Sequence, residues 1–466
     1  MSSPPSPSIE LPDQAGALDT PLPGTIPPAQ DSNPKAAVNA GLYRTVWRWH
    51  FYAGMLVAPF LLIASLTGAI YTFHNELSPI FYQDLFFVTP AKSRLTYDEQ
   101  LESLKRQLPE FTELEGLNLQ NEPGRSSQFI VHAYPGGDEN PEQKHRICFI
   151  DPQNGKLLGT QIMEQEFFHV MLEIHRTLFA GMTGRVLVEL ATCWGIVLVI
   201  TGIYLWWPSG SWKAPGIWYP RFKAKFYLVL RDFHAVLGVY FSALAILVLW
   251  TGLFVSVVWG TGFTLASMQM NQSLMDFFAH AKSAPAPENA VAKLEPVVAT
   301  ALRLSRPNDN VYFQLAHEPE QAHKIYLMHD GDTNTVRGLD IDQYTGELVS
   351  STPTEKLTPM VRLLALAVSL HQGKTFGLPS KILACLTCVV LMLMSVTGVW
   401  MWWDRRPRGT LGVPRKPDGK LSVGIYVLMG ILGVIFPVVG ISALIFWGID
   451  LLVTRISRRK SQLARA

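Results

Sequence analysis

Apolar residues run without alternation through five stretches, near 51–73, 186–207, 235–259, 382–403 and 422–449. Each is long enough, as a helix, to cross the ~30 Å hydrocarbon core of a bilayer. The pattern therefore predicts five membrane-spanning helices. Between them it changes character. "LTYDEQLESLKRQLP" (95–109) and "NAVAKLEPVVATALRLSRP" (289–307) space their apolar positions as helices do. "ICFIDPQNGKLLG" and "RGLDIDQYTGELVS" each place an apolar strand before Asp-x-x-x-Gly and an apolar return, which is hairpin chemistry. A helix followed by antiparallel strands predicts a small α+β module in each of two segments, 75–170 and 261–366. The predicted fold class is an α-helical membrane bundle carrying two small α+β domains.

Composition agrees: of 466 residues 48% are hydrophobic and only 16% charged, with 13 Trp, which excludes an ordinary soluble chain. Arg44 and Arg48 precede the first span, and the 208–232 and 404–421 loops collect Lys and Arg. The positive-inside rule puts these on the cytoplasmic face and both α+β segments outside, which in a bacterial inner membrane is the periplasm. The expected order is a Pro-rich disordered cytoplasmic tail (1–40), a first span (41–74), the first α+β domain (75–170), a histidine segment with the second span (171–207), and a loop (208–232). The third span (233–260), second α+β domain (261–366), second histidine segment with the fourth span (367–403), loop (404–421), fifth span (422–449) and basic tail (450–466) follow. The head lacks the features of a signal peptide. The basic tail would emerge on the wrong face after a fifth crossing, so a re-entrant last helix broken near Pro437 is the alternative. Cys193, Cys385 and Cys388 fall in spans and Cys148 has no evident partner, so no disulfide framework is expected.

The chain is internally duplicated. An offset of 184 carries His50, Gly54, Thr67 and Gly68 onto His234, Gly238, Thr251 and Gly252. An offset of 196 carries His175, Gly181, Thr201, Gly202, Trp206 and Trp207 onto His371, Gly377, Thr397, Gly398, Trp402 and Trp403. Each half reads span, external domain, span in one direction, which implies a pseudo-twofold axis along the membrane normal.

Histidine within or beside a span is costly unless it is paired or coordinating. His50 and His234 sit at the cytoplasmic starts of spans one and three. His175 and His371 lie just before spans two and four, on the opposite side. Each pair can meet at the axis, and a porphyrin iron accepts two axial imidazoles, so the expectation is two haem b groups, one per face. The competing reading is four hydrogen-bonded interfacial side chains. Gly68 and Gly252 lie 18 residues after His50 and His234, about five turns, on one helix face. Gly54 and Gly238 follow the same histidines by one turn and leave room for a macrocycle edge, or for close helix contacts. His74 and His169 have no mate in the other half, so they are placed beside the ligands or toward substrate. His317, His323 and His329 read as surface residues, and the Trp pairs as an aromatic belt. No catalytic residue is assigned.

The strand–turn motifs "FIDPQNGKLLG" and "DIDQYTGELVS" resemble those of PepSY domains. The spans with "TG…YLWWP" and "TG…WMWWD" resemble the PepSY-associated transmembrane helix family of iron-regulated inner-membrane proteins, over roughly 43–450. The resemblance implies a di-haem b ferric-siderophore reductase: a haem-dependent oxidoreductase passing electrons to a periplasmic ferric siderophore or other ferric chelate and releasing Fe²⁺. No Gly-x-Gly-x-x-Gly unit is present and the loops are short, so a separate donor is expected: quinol, reduced flavin or a partner reductase. No nucleic-acid partner is expected. The alternatives are an iron or siderophore permease and a non-catalytic PepSY regulator. The permease is disfavoured because no span shows an acidic residue deep in its apolar core.

Overall fold

The structure is a computed structural model that describes residues 34–445 and 448, except 91–92, 110, 121, 123, 134–144, 209, 273–277, 284–290, 308, 330–335, 353–355 and 408–422. Three of the apolar stretches form continuous helices long enough to span a membrane: α1 (Pro34–Tyr71), apolar from Gly41, and, further along the chain, Gly181–Trp206 and Leu378–Arg405. Helix α1 begins inside the stretch expected to be a disordered tail; residues 1–33 lie outside the described residues.

After α1 come the short helices α2 (His74–Phe81) and α3 (Gln83–Phe86), then α4 (Tyr97–Gln107) and strands β1 (Phe111–Gln120), β2 (Ser127–Ala133), β3 (His145–Ile150) and β4 (Leu157–Ile162). A 3₁₀ turn, Met163–Gln165, leads into α5 (Phe167–Thr177) and α6 (Gly181–Trp206). The second half has α7 (Phe226–Tyr240), α8 (Ser242–Leu253), α9 (Val258–Gln269), α10 (Leu294–Leu304) and strands β5 (Asn310–Gln314), β6 (His323–Met328), β7 (Val336–Ile341) and β8 (Leu348–Thr352). Helices α11 (Pro359–His371), α12 (Leu378–Arg405) and α13 (Val423–Ile435) follow. Helix α1 packs against both α6 and α12.

The third predicted span is not one rod. It breaks at Phe241, and α7 and α8 meet at 64°. The Ser242 hydroxyl donates to the Val239 carbonyl at the break, at 2.8 Å, and such competition with the helix ladder accompanies kinks. The fifth stretch also departs from a single crossing. Helix α13 ends before Phe436 and the chain is helical again over 437–445. A Cβ built on Gly440 would lie 2.9 Å from Gly433 Cα, whereas seven residues of straight helix span ~10 Å. The chain therefore doubles back at Phe436–Pro437, the geometry of the broken-helix alternative. Phe436 is buried against Trp250, and Trp194 Nε1 donates to Ser442 Oγ at 3.2 Å. The tail 450–466 lies outside the described residues.

The two α+β segments were expected as separate domains, but they share one sheet. Its order is β4-β3-β2-β1-β5-β6-β7-β8, two antiparallel meanders joined where β1 pairs with β5 from Gly116↔Gln314 to Gln120↔Asn310. Glycine is required at the seam, because a Cβ on Gly116 would sit 2.3 Å from the Phe313 carbonyl oxygen. One core runs through both segments, with Leu117, Phe129, Val131 and Cys148 packed with Phe313, Ile325, Leu327 and Leu339 beneath α4 and α10. Those helices cap each other. Asp98 of α4 accepts the Leu294 and Glu295 N–H groups at 2.9 and 3.1 Å, while Glu295 accepts the Tyr97 N–H at 2.8 Å and pairs with Arg94 at 2.7 Å. Orphan donors at each N-terminus are thus met by the other helix. Both predicted Asp-x-x-x-Gly turns form: Gly155 and Gly346 donate to the Asp151 and Asp342 carbonyls at 2.9 and 3.0 Å, with φ near +70° at each glycine.

Candidate functional site

Each of the four histidines is held through Nδ1, and the holding groups repeat across the halves. His50 on α1 meets Thr201 Oγ1 on α6 at 2.9 Å, and His234 on α7 meets Thr397 Oγ1 on α12 at 2.8 Å. Thr201 and Thr397 donate their own hydroxyl hydrogens to carbonyls of the preceding turn, Val197 and Leu393, at 2.7 and 2.6 Å, so each oxygen accepts from the imidazole. His175 on α5 meets the Ala64 carbonyl of α1 at 2.8 Å, and His371 on α11 meets the Val248 carbonyl of α8 at 2.9 Å. A carbonyl only accepts. All four rings therefore carry hydrogen on Nδ1, which in the neutral imidazole leaves Nε2 with its lone pair, the tautomer a metal-ligating histidine needs.

The glycine of each Thr-Gly pair makes room for a ring. A Cβ on Gly68 would lie 3.0 Å from His175 Cε1, and one on Gly252 would lie 2.8 Å from His371 Cε1. At Gly202 and Gly398 the nearest atoms are Cε1 of His50 and His234, at 3.4 and 3.6 Å. Gly68 and Gly252 thus serve the histidine of a neighbouring helix, not His50 and His234 on their own chain segments. Gly54 and Gly238 face Leu198 and Met394, on α6 and α12, at 3.9 and 3.4 Å, which is helix contact.

His175 and His371 come together, with ring centroids 6.1 Å apart and planes 48° apart. An imidazole nitrogen binds a transition metal at about 2 Å, so two rings on one metal would place their centroids ~6 Å apart. His50 and His234 lie within electrostatic range of each other. On α1 His50 and Ala64, the anchor of His175, are 14 residues apart, ~21 Å along the helix. The arrangement offers two pairs of imidazoles, one toward each end of the helices, each of a kind that could hold a metal.

His74 opens α2 and stacks on Tyr71 at 4.2 Å with Nδ1 on the Tyr71 carbonyl. Burial first, and then the Lys374 charge, hold its pKa down at about 4. Lys374 follows His371 by three residues, so His74 sits by the outer pair. His169 lies in the first turn of α5, its N–H donating to the Glu166 carboxylate at 2.8 Å. Buried Lys381 pairs with Glu76 of α2 nearby. His317, His323 and His329 do not converge: His317 pairs with Glu113, buried His323 accepts the Ala316 N–H, and His329 pairs with Asp309.

The expectation that no span carries a deep acid is wrong. Glu189 of α6 is buried at 1% exposure, and its two oxygens accept the N–H groups of Val258 and Trp259 at 2.7 and 2.8 Å. It caps α9, a role invisible until α9 is seen to begin there. Sequence reading also passed over His132 and His145, adjacent on β2 and β3 and close to Glu115; equal strand parity in "FIVHA" and "HRICFI" was the available signal.

Residues 47–405 match the family model described as PepSY-associated TM region. No curated protein matches the chain.

Proposed function

The chain belongs to the PepSY-associated TM family, and we propose that it is an inner-membrane di-haem b electron-transfer protein that reduces ferric chelates in the periplasm. The observation that carries this reading is the set of four histidines, each held through Nδ1 so that Nε2 is left for a ligand, gathered at the two ends of the membrane helices. On this reading the two halves are related by a pseudo-twofold axis, and the joined sheet is a pair of PepSY-like modules facing the periplasm. A haem b at each pair would supply a one-electron relay between the membrane faces. His50 and His234 would hold the one at the cytoplasmic end, and His175 and His371 the one at the periplasmic end. Thr201, Thr397 and the Ala64 and Val248 carbonyls orient the rings and keep their nitrogens basic. His74 and Lys374 lie on the side from which an anionic ferric chelate would approach. Hard-oxygen siderophores hold Fe²⁺ far less tightly than Fe³⁺, so reduction releases it. The donor is a separate quinol, reduced flavin or reductase.

A permease reading needs an acidic group free to couple. Both oxygens of Glu189 are committed to α9, which disfavours it.

The absorption spectrum of the purified protein tests the proposal. Bis-imidazole haem b bands that diminish when His50, His234, His175 or His371 becomes Ala are the expected result; a colourless protein overturns it. Vesicles with reductant enclosed and ferric chelate outside then test electron transfer, because a conduit reduces iron that never crosses.

A further inference from the structure

The sheet face opposite α4 and α10 carries a second group of ligating side chains. On β2 and β3, Val131 faces Arg146 and, one step on, His132 faces His145. Core residues Phe129, Val131, Cys148 and Ile150 point to the other side, so both rings share the face on which Phe149 meets Phe86 of α3. Strand β1 is irregular between Leu114 and Gly116. Glu115, the residue in that irregularity, reaches both rings: Oε1 contacts His132 Nε2, and Oε2 lies 3.3 Å from His145 Nε2. One donor atom from each of the three residues falls within 4.8 Å of the others.

His145 is fixed from behind. Glu164 Oε1 takes its Nδ1 at 3.0 Å and its backbone N–H at 3.2 Å, which turns Nε2 toward Glu115. With its Nδ1–H given to Glu164, a neutral His145 has no hydrogen left on Nε2, so that nitrogen can rest against Glu115 only with a second proton or a metal ion between them. The other half of the sheet shows that the fold does not require this chemistry. There Leu327 faces Arg337, and the next pair is Met328 and Val336. Side-chain exposures of 24% for Glu115, 14% for His132 and 35% for His145 leave the group reachable from solvent.

We propose that Glu115, His132 and His145 form an open three-ligand site for a divalent first-row transition ion, with Glu164 as the positioning residue for His145. Two imidazoles and one carboxylate suit Fe²⁺ or Zn²⁺; Mg²⁺ and Ca²⁺ prefer all-oxygen sites and Cu⁺ prefers sulfur. Glu164 stands in the turn that runs into α5, whose far end carries His175. Where the reductase reading holds, the ion is Fe²⁺ released beside the sheet, caught before it diffuses away.

The test is equilibrium dialysis of the full-length purified protein against Zn²⁺ and, anaerobically, Fe²⁺, with bound metal counted by elemental analysis. The wild type should bind one equivalent more than the double variant His132→Met, His145→Val. That variant copies the pair at Met328 and Val336, so its sheet keeps a pairing the chain already uses. Glu115→Gln should weaken binding at least tenfold, and Glu164→Gln by about 10- to 100-fold with stoichiometry retained. Equal binding by wild type and double variant overturns the proposal and leaves a protonated ion pair. A colourless protein that binds the extra ion supports the site while removing the reductase reading; a haem-bearing protein that binds none overturns the site alone.

Discussion

Adding one methyl group at Gly252 tests how the histidines are seated. A Cβ there would lie 2.8 Å from His371 Cε1 and 3.2 Å from its Nδ1, whereas carbon atoms pack at about 3.5–4.0 Å. The ring must retreat by ~0.7–1.2 Å. The Nδ1 bond to the Val248 carbonyl is 2.9 Å long, and such a retreat carries it past the range of a hydrogen bond. Loss of that bond costs about 1 kcal/mol and overpacking about 1–3 kcal/mol, so Gly252→Ala should destabilise the protein by roughly 2–4 kcal/mol. It also displaces His371 relative to His175, now 6.1 Å distant, and, on the di-haem proposal, should lower the ratio of haem to protein absorbance. Gly398 is the control. Its Cβ would be 3.6 Å from His234 Cε1, an ordinary contact, and Ala gains up to about 1 kcal/mol over Gly within a helix. Gly398→Ala should therefore be neutral or stabilising, with Gly68→Ala nearer the harmful end. Thermal unfolding in detergent and the absorbance ratio, read on all three variants, decide the matter. If Gly252→Ala and Gly398→Ala behave alike, the seating argument is refuted.

Thr201→Val and Thr397→Val keep the side-chain shape but leave the Nδ1–H of His50 and His234 unpartnered, at a cost of about 1–3 kcal/mol; cofactor retention should fall about 10- to 100-fold and recover in Thr→Ser variants, and unchanged retention in Val would count against the assigned tautomer. His323 has its pKa pushed down to about 4, by burial first and then by His280, so it is neutral when folded while the unfolded chain protonates near 6.5. Its contribution is full above about pH 6.5 and declines as pH falls toward about 4, by on the order of 3 kcal/mol at most; unfolding midpoints of wild type and His323→Gln should converge on acidification, and a constant gap would refute it. Asp98→Ala removes the acceptor for two N–H groups of α10 and should cost about 1–2 kcal/mol; because that contact joins the two halves of the sheet, a double-mutant cycle with Glu295→Ala should show coupling.

Much of the membrane architecture follows from periodicity alone. Apolar length located α1, α6 and α12, and the repeat offsets selected His50, His234, His175 and His371 out of 12 histidines, since helical rise and spacing are local properties of the chain. The same local reasoning placed the Asp151 and Asp342 turns, where the aspartate and the following glycine create the reversal by themselves. It did not place the 64° break at Phe241, which changes direction without changing hydropathy, and it offered the reversal near Pro437 only as the alternative to a fifth crossing. Nor did it reveal Glu189, His132 or His145, because their partners lie on other elements.

The sequence by itself determined that each half supplies two histidines and two Thr-Gly pairs at fixed separations along the chain. Tertiary structure alone decided who serves whom. Thr201 holds His50 and Gly68 admits His175, because a side chain's partners are set by which helix lies alongside, and chain spacing carries no record of that. The joining of β1 to β5 is of the same kind: each strand is specified locally, but backbone hydrogen-bonding groups at an open sheet edge accept whichever edge the surrounding packing brings to them.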